Sequence, residues 1–354
     1  MNFRQLLMIA AGAAALVYAA DTVTPPTTGP GAQAPADSKE ADVLKACKVP
    51  PPARGGGGRG PARGPAAGAA SAAPKDYTVT EIPGVIAAGQ KWTVVFEATG
   101  NNADGIIGTK DGGLLIAQNT NSDVVKLDKN GKATVAYPGL NTSGAVSMNA
   151  KGALFVNNRG LNASIEELAP KKKTFADKYN GDSFDCIGGV LNDLTAAKNG
   201  GIYFTFGGLF YADPTGKVTK QGENLRTNGI ILSRDEKTLY VTNGNTVAAL
   251  DVQPDGSLKN QREFAKLEGG GAGDGTTIDS EGRLYVSTSA PGIQVIAADG
   301  KYLGMIPTPR DVISGAFSGK DKKTLYVVGW DAANLHDYVM SIPMLSQGFK
   351  GRAK

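Results

Sequence analysis

A short sequence unit recurs six times between residues 104 and 328, and this repetition constrains the fold more than any other feature of the chain. Each copy begins with a small or polar residue beside a glycine or aspartate, continues with apolar positions and a turn, and ends in a run such as Leu-Tyr-Val. The first residue of each copy, its head, is Asp104, Ser143, Asn192, Asn228, Asp274 or Ser314. A step of about 40 residues made of short strands is typical of one β-propeller blade. The sequence therefore predicts an all-β, six-bladed β-propeller.

The residues between the heads also favour strands. Residues 123–128 and 133–137 read as two strands joined by an Asn-Gly turn, which is a strong hairpin signal. Helical periodicity with capping signals is hard to find after Lys75, and residues 77–97 are predicted to supply the strand that closes the ring against the last blade. A pair of β-sandwiches would explain short strands equally well, but it gives no reason for a head to recur in one register.

The first 75 residues differ from the repeats in composition. Arg4 precedes a short, alanine-rich apolar stretch, so residues 1–20 are predicted to be a secretory signal peptide, with an uncleaved anchor as the alternative. Residues 21–75 are dominated by Pro, Ala and Gly, and they have too little apolar surface to offset their chain entropy. We expect a disordered linker there, which could also serve as a tether to the cell wall.

These boundaries assign residues 76–346 to the propeller and residues 347–354 to a C-terminal tail. We expect a periplasmic or secreted monomer that has no stable membrane insertion after signal cleavage. The formal net charge of +4 is modest, and the linker carries part of it, which argues against nucleic acid as a partner. An exported protein could oxidise Cys47 and Cys186 to a disulfide, whereas the alternative is a buried Cys186 and an exposed Cys47.

The heads are the candidate functional residues. In a propeller the innermost strand of each blade lines the central channel, so residues at equivalent ends of these strands converge on one axis. Four heads carry oxygen ligands, and they are Asp104, Asn192, Asn228 and Asp274. An oxygen-only set suits Ca²⁺ first, and Mg²⁺ or Mn²⁺ as alternatives. Zn²⁺ is less favoured because no His or Cys lies at a head.

Two simpler interpretations compete with a metal site. Asp-Gly and Asn-Gly pairs are common turn formers, so a head could merely hydrogen-bond its own backbone, although one position carrying such an oxygen in four blades favours a site. A Ser-His-Asp triad would depend on His336, the single histidine of the chain, and no Gly-x-Ser-x-Gly elbow accompanies it. We therefore expect His336 to be a surface or loop residue.

The later units resemble those of the gluconolactonase, regucalcin and luciferin-regenerating-enzyme family of six-bladed propellers. The resemblance rests on residues 192–194, 227–230 and 274–286, and it extends over roughly residues 101–330. It implies one divalent cation in the channel, with Asn228 and Asp274 as ligands and Asn192 beside the metal and substrate. The family's first-blade Glu corresponds to Asp104, which is one methylene shorter. The family's arginine before the Asn-Asp unit is absent, because residues 188–191 fill that place.

From this resemblance we predict an exported divalent-metal-dependent hydrolase of a lactone or related small ester, with a small lactone or sugar-like substrate. The cation would polarise the lactone carbonyl, and a carboxylate would act as general base. Asp274 is the predicted base, Asn192 the second catalytic residue, and Asp104, Asn228 and Asp274 the metal ligands. The alternative is a non-catalytic propeller that binds a small ligand, glycan or protein.

Overall fold

The structure is a computed structural model, and it describes residues 38–49, 74–288, 292–331 and 336–354 of the chain. The predicted signal peptide and most of the predicted linker lie outside these residues. Across the described ranges, none of the helices combines the length and apolar character needed to cross a bilayer.

Six four-stranded antiparallel sheets form the body of the protein, as the repeats predict. An initial strand, β1 (Thr93–Thr99), precedes them. The first blade consists of β2 (Ala103–Gly108), β3 (Leu114–Gln118), β4 (Asp123–Leu127) and β5 (Ala133–Tyr137), and the second of β6 (Ser143–Met148), β7 (Leu154–Asn158), β8 (Ser164–Ala169) and β9 (Lys173–Ala176). A short pair, β10 (Lys178–Tyr179) and β11 (Asp182–Ser183), follows. The third blade consists of β12 (Leu191–Ala196), β13 (Ile202–Phe206), β14 (Leu209–Ala212) and β15 (Val218–Gln221).

The other three blades follow the same order. They consist of β16 (Thr227–Leu232), β17 (Thr238–Asn243), β18 (Thr246–Val252) and β19 (Leu258–Lys266); β20 (Gly273–Ile278), β21 (Leu284–Thr288), β22 (Gly292–Ile296) and β23 (Tyr302–Pro307); and β24 (Ser314–Ser318), β25 (Thr324–Asp331) and β26 (His336–Pro343) together with β1. The helical elements of the described residues are α1 (Ser38–Lys45) and the 3₁₀ turns Phe184–Cys186, Glu268–Gly270 and Lys320–Lys322.

The blades form a closed ring. The inner strands β2, β6, β12, β16, β20 and β24 lie side by side in that order, and β24 contacts β2. β1 pairs antiparallel with β26 from Thr93↔Ser341 to Thr99↔His336, so a strand from before the first repeat completes the last blade. This confirms the predicted ring closure and rules out the pair of β-sandwiches.

Apolar side chains fill the spaces between blades. Between the second and third blades, Phe155 packs in one buried cluster with Phe184, Phe204 and Phe210. Trp92 is buried against the fifth and sixth blades, and its Nε1 donates to the Pro307 carbonyl at 2.8 Å. The core thus lies between the sheets, which leaves the inner strands to line the central channel.

The C-terminal residues close one end of this channel. Ala353 exchanges two backbone hydrogen bonds of 3.0 and 3.1 Å with Met148, the last residue of β6. Gly348 bridges to Asp279, just beyond β20, and Arg352 Nη1 donates at 3.0 Å to the Ser233 carbonyl, just beyond β16. Because these contacts lie at the ends of the inner strands opposite the heads, the segment assigned as a tail is an integral, partly buried piece of the propeller.

A disulfide joins the N-terminal region to the propeller. Cys47 follows α1 and pairs with Cys186, with a Cα–Cα distance of 5.5 Å. Lys48 supports the same attachment, because its Nζ donates to the Asn180 carbonyl at 2.8 Å. The sequence left the pairing open, and the alternative of an unpaired, buried Cys186 and an unpaired, exposed Cys47 is wrong.

Candidate functional site at the head end of the channel

The heads lie in β-bulges. In five blades the pairing between the inner strand and the second strand skips two inner-strand residues near its start. The skipped pairs are Asp104 and Gly105, Gly144 and Ala145, Asn192 and Asp193, Asn228 and Gly229, and Asp274 and Gly275. A bulge re-aims side chains and is common beside functional sites. The sixth blade differs, because Ser314↔Val328 and Gly315↔Val327 pair without a shift.

The bulges expose the oxygen-bearing heads to the channel. In β2, β12 and β20 the head (Asp104, Asn192 or Asp274) is the one strand residue that is not buried. Asn228 is likewise partly exposed at the start of β16, whose later residues are buried. The structure thus places all four predicted site residues at one end of the inner strands, as the repeat predicts.

The second blade corrects the sequence register. Its bulge begins at Gly144, so Ser143 occupies the position before the head. Ser143 is fully buried, and its hydroxyl lies 2.6 Å from the Asp123 carbonyl and 2.9 Å from the Gln118 carbonyl. Ser143 therefore contributes no oxygen to the site, because its hydroxyl is hydrogen-bonded to these backbone carbonyls. Ser314 is also buried, in the blade that has no bulge.

An arginine that the repeat pattern missed fills the space at Gly144. A Cβ placed on Gly144 would overlap the guanidinium of Arg159, which follows β7 in the same blade. Arg159 forms an ion pair with Asp104, whose side chain is 13% exposed. On its other side Arg159 donates at 2.8 Å to Asn192 Oδ1 and at 2.9 Å to the Leu191 carbonyl. Arg159 thus links the first and third heads from the blade between them.

Hydrogen bonds also connect the heads of the third and fourth blades. Asn192 Nδ2 donates at 2.7 Å to Asn228 Oδ1. With Arg159 on its oxygen and Asn228 on its nitrogen, the Asn192 amide has a defined orientation. A Cβ on Gly229 would overlap the Asp274 carbonyl, so the glycine of the Asn-Gly unit permits close approach of the fourth and fifth blades.

Polar side chains from the second strands hold the bulged backbone. Asn157 on β7 accepts a hydrogen bond from the Gly144 amide at 3.1 Å and donates to the Asn192 carbonyl at 2.6 Å. Thr205 on β13 donates to the Asn228 carbonyl at 2.7 Å. These contacts replace the strand pairing that the bulges give up, so the heads lie on a rigid frame.

The donor set fits a hard cation. The described residues contain no cluster of three or more His, Cys, Asp and Glu side chains arranged to hold a metal ion. Two carboxylates and two amide oxygens at the heads would instead suit Ca²⁺, which accepts carboxylate, amide and water oxygens. His336, the residue on which a catalytic triad would depend, lies on β26. Its Nε2 is 3.5 Å from a carboxylate oxygen of Glu97 on β1, the outermost strand of the last blade, and not beside the heads.

Known proteins resemble this chain. A gluconolactonase from Zymomonas mobilis is 28% identical over 218 residues, which are 52% of this chain and 60% of that protein. A lactonase drp35 from Staphylococcus saprophyticus is 27% identical over 221 residues, which are 55% and 59% of the two chains. The chain therefore spans about three fifths of the length of these relatives.

A solved structure of a gluconolactonase from Xanthomonas campestris shares the fold, with a TM-score of 0.65 and 21% identity over 78% of this chain and 98% of that one. The model of one family, described as the SMP-30/Gluconolactonase/LRE-like region, matches residues 142–330, which include every head except Asp104. The chain belongs to the SMP-30/gluconolactonase/LRE-like family.

Proposed function

We propose that this protein is a divalent-cation-dependent hydrolase of a lactone or related small ester. The observation that carries the proposal is the convergence of four partly exposed oxygen-bearing heads at one end of the channel. Relatives named gluconolactonase and lactonase support the same reaction class.

Asn228 and Asp274 would hold the cation, which when bound would polarise the lactone carbonyl and lower the pKa of a water molecule. Asp274 accepts the proton of the attacking water, since it is the head carboxylate that the family resemblance aligns with the site. Asn192, fixed by Arg159 and Asn228, orients the substrate beside it. Asp104 is the third predicted ligand, and it forms an ion pair with Arg159.

A second candidate is a non-catalytic propeller that binds a small ligand, glycan or protein at the head end. One observation favours it: the first-blade carboxylate, Asp104, is already paired with Arg159. We rank it second because Asn192, Asn228 and Asp274, the residues that the family resemblance assigns to the site, all lie in bulges at the same end of the inner strands.

Export to an oxidising compartment, the periplasm or the exterior, is part of the proposal. The disulfide between Cys47 and Cys186 supports it, because structural disulfides persist mainly outside the reducing cytosol. The test is the oxidation state of the two thiols in protein trapped by alkylation directly from the cells. Reduced thiols in all cell fractions would contradict export.

The function is tested with purified protein and a panel of five- and six-membered lactones, assayed before and after chelation and after Ca²⁺ is restored. We expect hydrolysis that chelation abolishes and Ca²⁺ restores. Asp274→Asn should reduce turnover at least about 100-fold, whereas Asp255→Asn, in an exposed Asp-Gly turn, should have no effect. Absence of both bound metal and hydrolysis would leave the binding propeller as the better account.

A further inference from the structure

The hydrogen bonds of Arg159 account for its whole guanidinium. Nε donates to the Leu191 carbonyl at 2.9 Å, Nη1 contacts Asp104 Oδ2 and lies 3.2 Å from Asn119 Oδ1, and Nη2 contacts the carbonyl and Oδ1 of Asn192. An arginine has five N–H donors, and here there are five acceptors from the protein. Arg159 therefore has no donor left for a substrate, which distinguishes it from a substrate-binding arginine.

The same contacts change the electrostatics of Asp104. The side chains of Arg159 and Asp104 are 11% and 13% exposed, so water screens their attraction only weakly. A cation at Asp104 would have to compete with a fixed guanidinium and would also be repelled by it. The described side-chain partner of Asn228 is neutral: Asn192 Nδ2 donates to Asn228 Oδ1 at 2.7 Å, which leaves that oxygen a second lone pair for a cation.

We propose that Arg159 is a positioning residue that neutralises Asp104 and fixes Asn192, so that the channel cation is bound through Asn228 and Asp274 without Asp104. The proposal rests on the proposed function for the presence of a cation. It deepens that function by dividing the heads into a pair that binds the cation and a pair, Asp104 and Asn192, that Arg159 holds in place.

Two consequences follow for cation affinity. Removing the Asp104 charge should lower the affinity for the cation only slightly, because that charge is already paired with Arg159. Removing the Arg159 charge should strengthen binding, because it releases a carboxylate and removes a nearby positive charge. A residue with a purely structural role would not produce a gain in affinity when it is removed.

The first experiment measures Ca²⁺ binding to the purified full chain by titration calorimetry. We expect Asp274→Asn to weaken binding at least about 30-fold, Asp104→Asn to weaken it less than about 3-fold, and Arg159→Met to strengthen it about 10-fold. Arg159→Lys keeps the charge and should stay close to the native affinity. Arg262→Met is the matched control, because it removes an arginine that pairs with Asp251 at 2.7 Å on the surface.

The proposal is overturned if Asp104→Asn weakens binding as much as Asp274→Asn, or if Arg159→Met weakens it. If the native chain binds no Ca²⁺ and has no lactonase activity, the proposed function fails. In that case binding through Asn228 and Asp274 alone is refuted too, whereas Ca²⁺ binding gained by Arg159→Met would support the neutralisation of Asp104 by Arg159, and no gain would refute it.

The second experiment works without a cation. Urea unfolding of Asp104→Asn, Arg159→Met and the double variant in chelator forms a double-mutant cycle. We expect the double variant to be less destabilised than the sum of the single variants, because each single change removes the partner of a poorly exposed charge. Additive effects would show that the ion pair is not formed, and the proposal would then be wrong.

Discussion

The two ends of the central channel are built from the same inner strands and differ in what covers them. At the head end, bulges turn polar side chains toward the channel and glycines let neighbouring blades approach. At the opposite end, the strands finish regularly and the segment from Gly348 to Lys354 packs across them. We expect changes at the first end to alter function more than stability, and changes at the second to do the reverse.

After Asp274→Asn, the largest expected effect on function is that of Asn192→Ala. This change removes the amide between Arg159 and Asn228, so lactone turnover should fall about 100-fold while the midpoint of thermal unfolding changes little. Asn130→Ala, in an exposed Asn-Gly turn, is the control and should retain full turnover. Native turnover in Asn192→Ala would show that Asn192 is not part of the functional site.

The disulfide lies outside the inner strands, because Cys47 follows α1 and Cys186 belongs to the 3₁₀ turn Phe184–Cys186, so its removal should act on stability. Replacing both cysteines with serine should lower the free energy of unfolding by about 3 kcal/mol, since the bond closes a long loop in the unfolded chain. Urea titration measures this, and reduction of the native protein should give the same value. Equal stability of oxidised and reduced protein would show that the bond adds nothing to the fold.

At the closed end, Arg352→Met should act on stability. Arg352 is buried, and its guanidinium donates to the carbonyls of Leu232, Ser233 and Lys354. Because these carbonyls are left without partners, the free energy of unfolding should fall by about 2 kcal/mol, and the Ca²⁺ affinity should not change. Lys350→Met, an exposed change in the same segment, should cost less than about 0.5 kcal/mol. A loss of Ca²⁺ binding in Arg352→Met would break the division between the two ends.

The smallest effect should come from glycine substitutions at the heads. A Cβ at Gly229 overlaps the Asp274 carbonyl, so Gly229→Ala should cost about 1 to 2 kcal/mol and also weaken Ca²⁺ binding by shifting Asn228 from Asp274. Gly315→Ala is the matched control in the blade without a bulge, where the nearest atom would be 3.3 Å away. Equal effects of the two substitutions would mean that the bulge does not set the spacing.

Much of the fold could be predicted because its signals are local. The short apolar strands, the turns and the repeated heads lie within about 40 residues of one another, and each blade needs only such a stretch. The same repeat placed Asn192, Asn228 and Asp274 at one end of the channel. It put the second head at Ser143 instead of Gly144, because a serine and a glycine side by side both fit a small head and only the pairing of β6 with β7 decides between them.

Contacts between distant residues required the tertiary structure. Arg159 lies 55 residues from Asp104 and 33 from Asn192, and nothing in the repeat marks it, because it follows the second strand of its blade. One sequence signal could have indicated Arg159: it is an arginine directly after the second strand of a blade whose head is a glycine. The pairing of Cys47 with Cys186 spans 139 residues, and the contact of Lys354 with Asp193 spans 161.

The sequence by itself determined the six blades, their order and the oxygen-bearing residues at their heads, because strand periodicity and turn chemistry are properties of short segments. Only the tertiary structure decided that Asp104 meets a cationic partner and which end of the channel the C-terminal segment covers. The reason is that the electrostatics of a charged group depend on its neighbours in space, and the packing of the first three blades brings Asp104, Arg159 and Asn192 into contact.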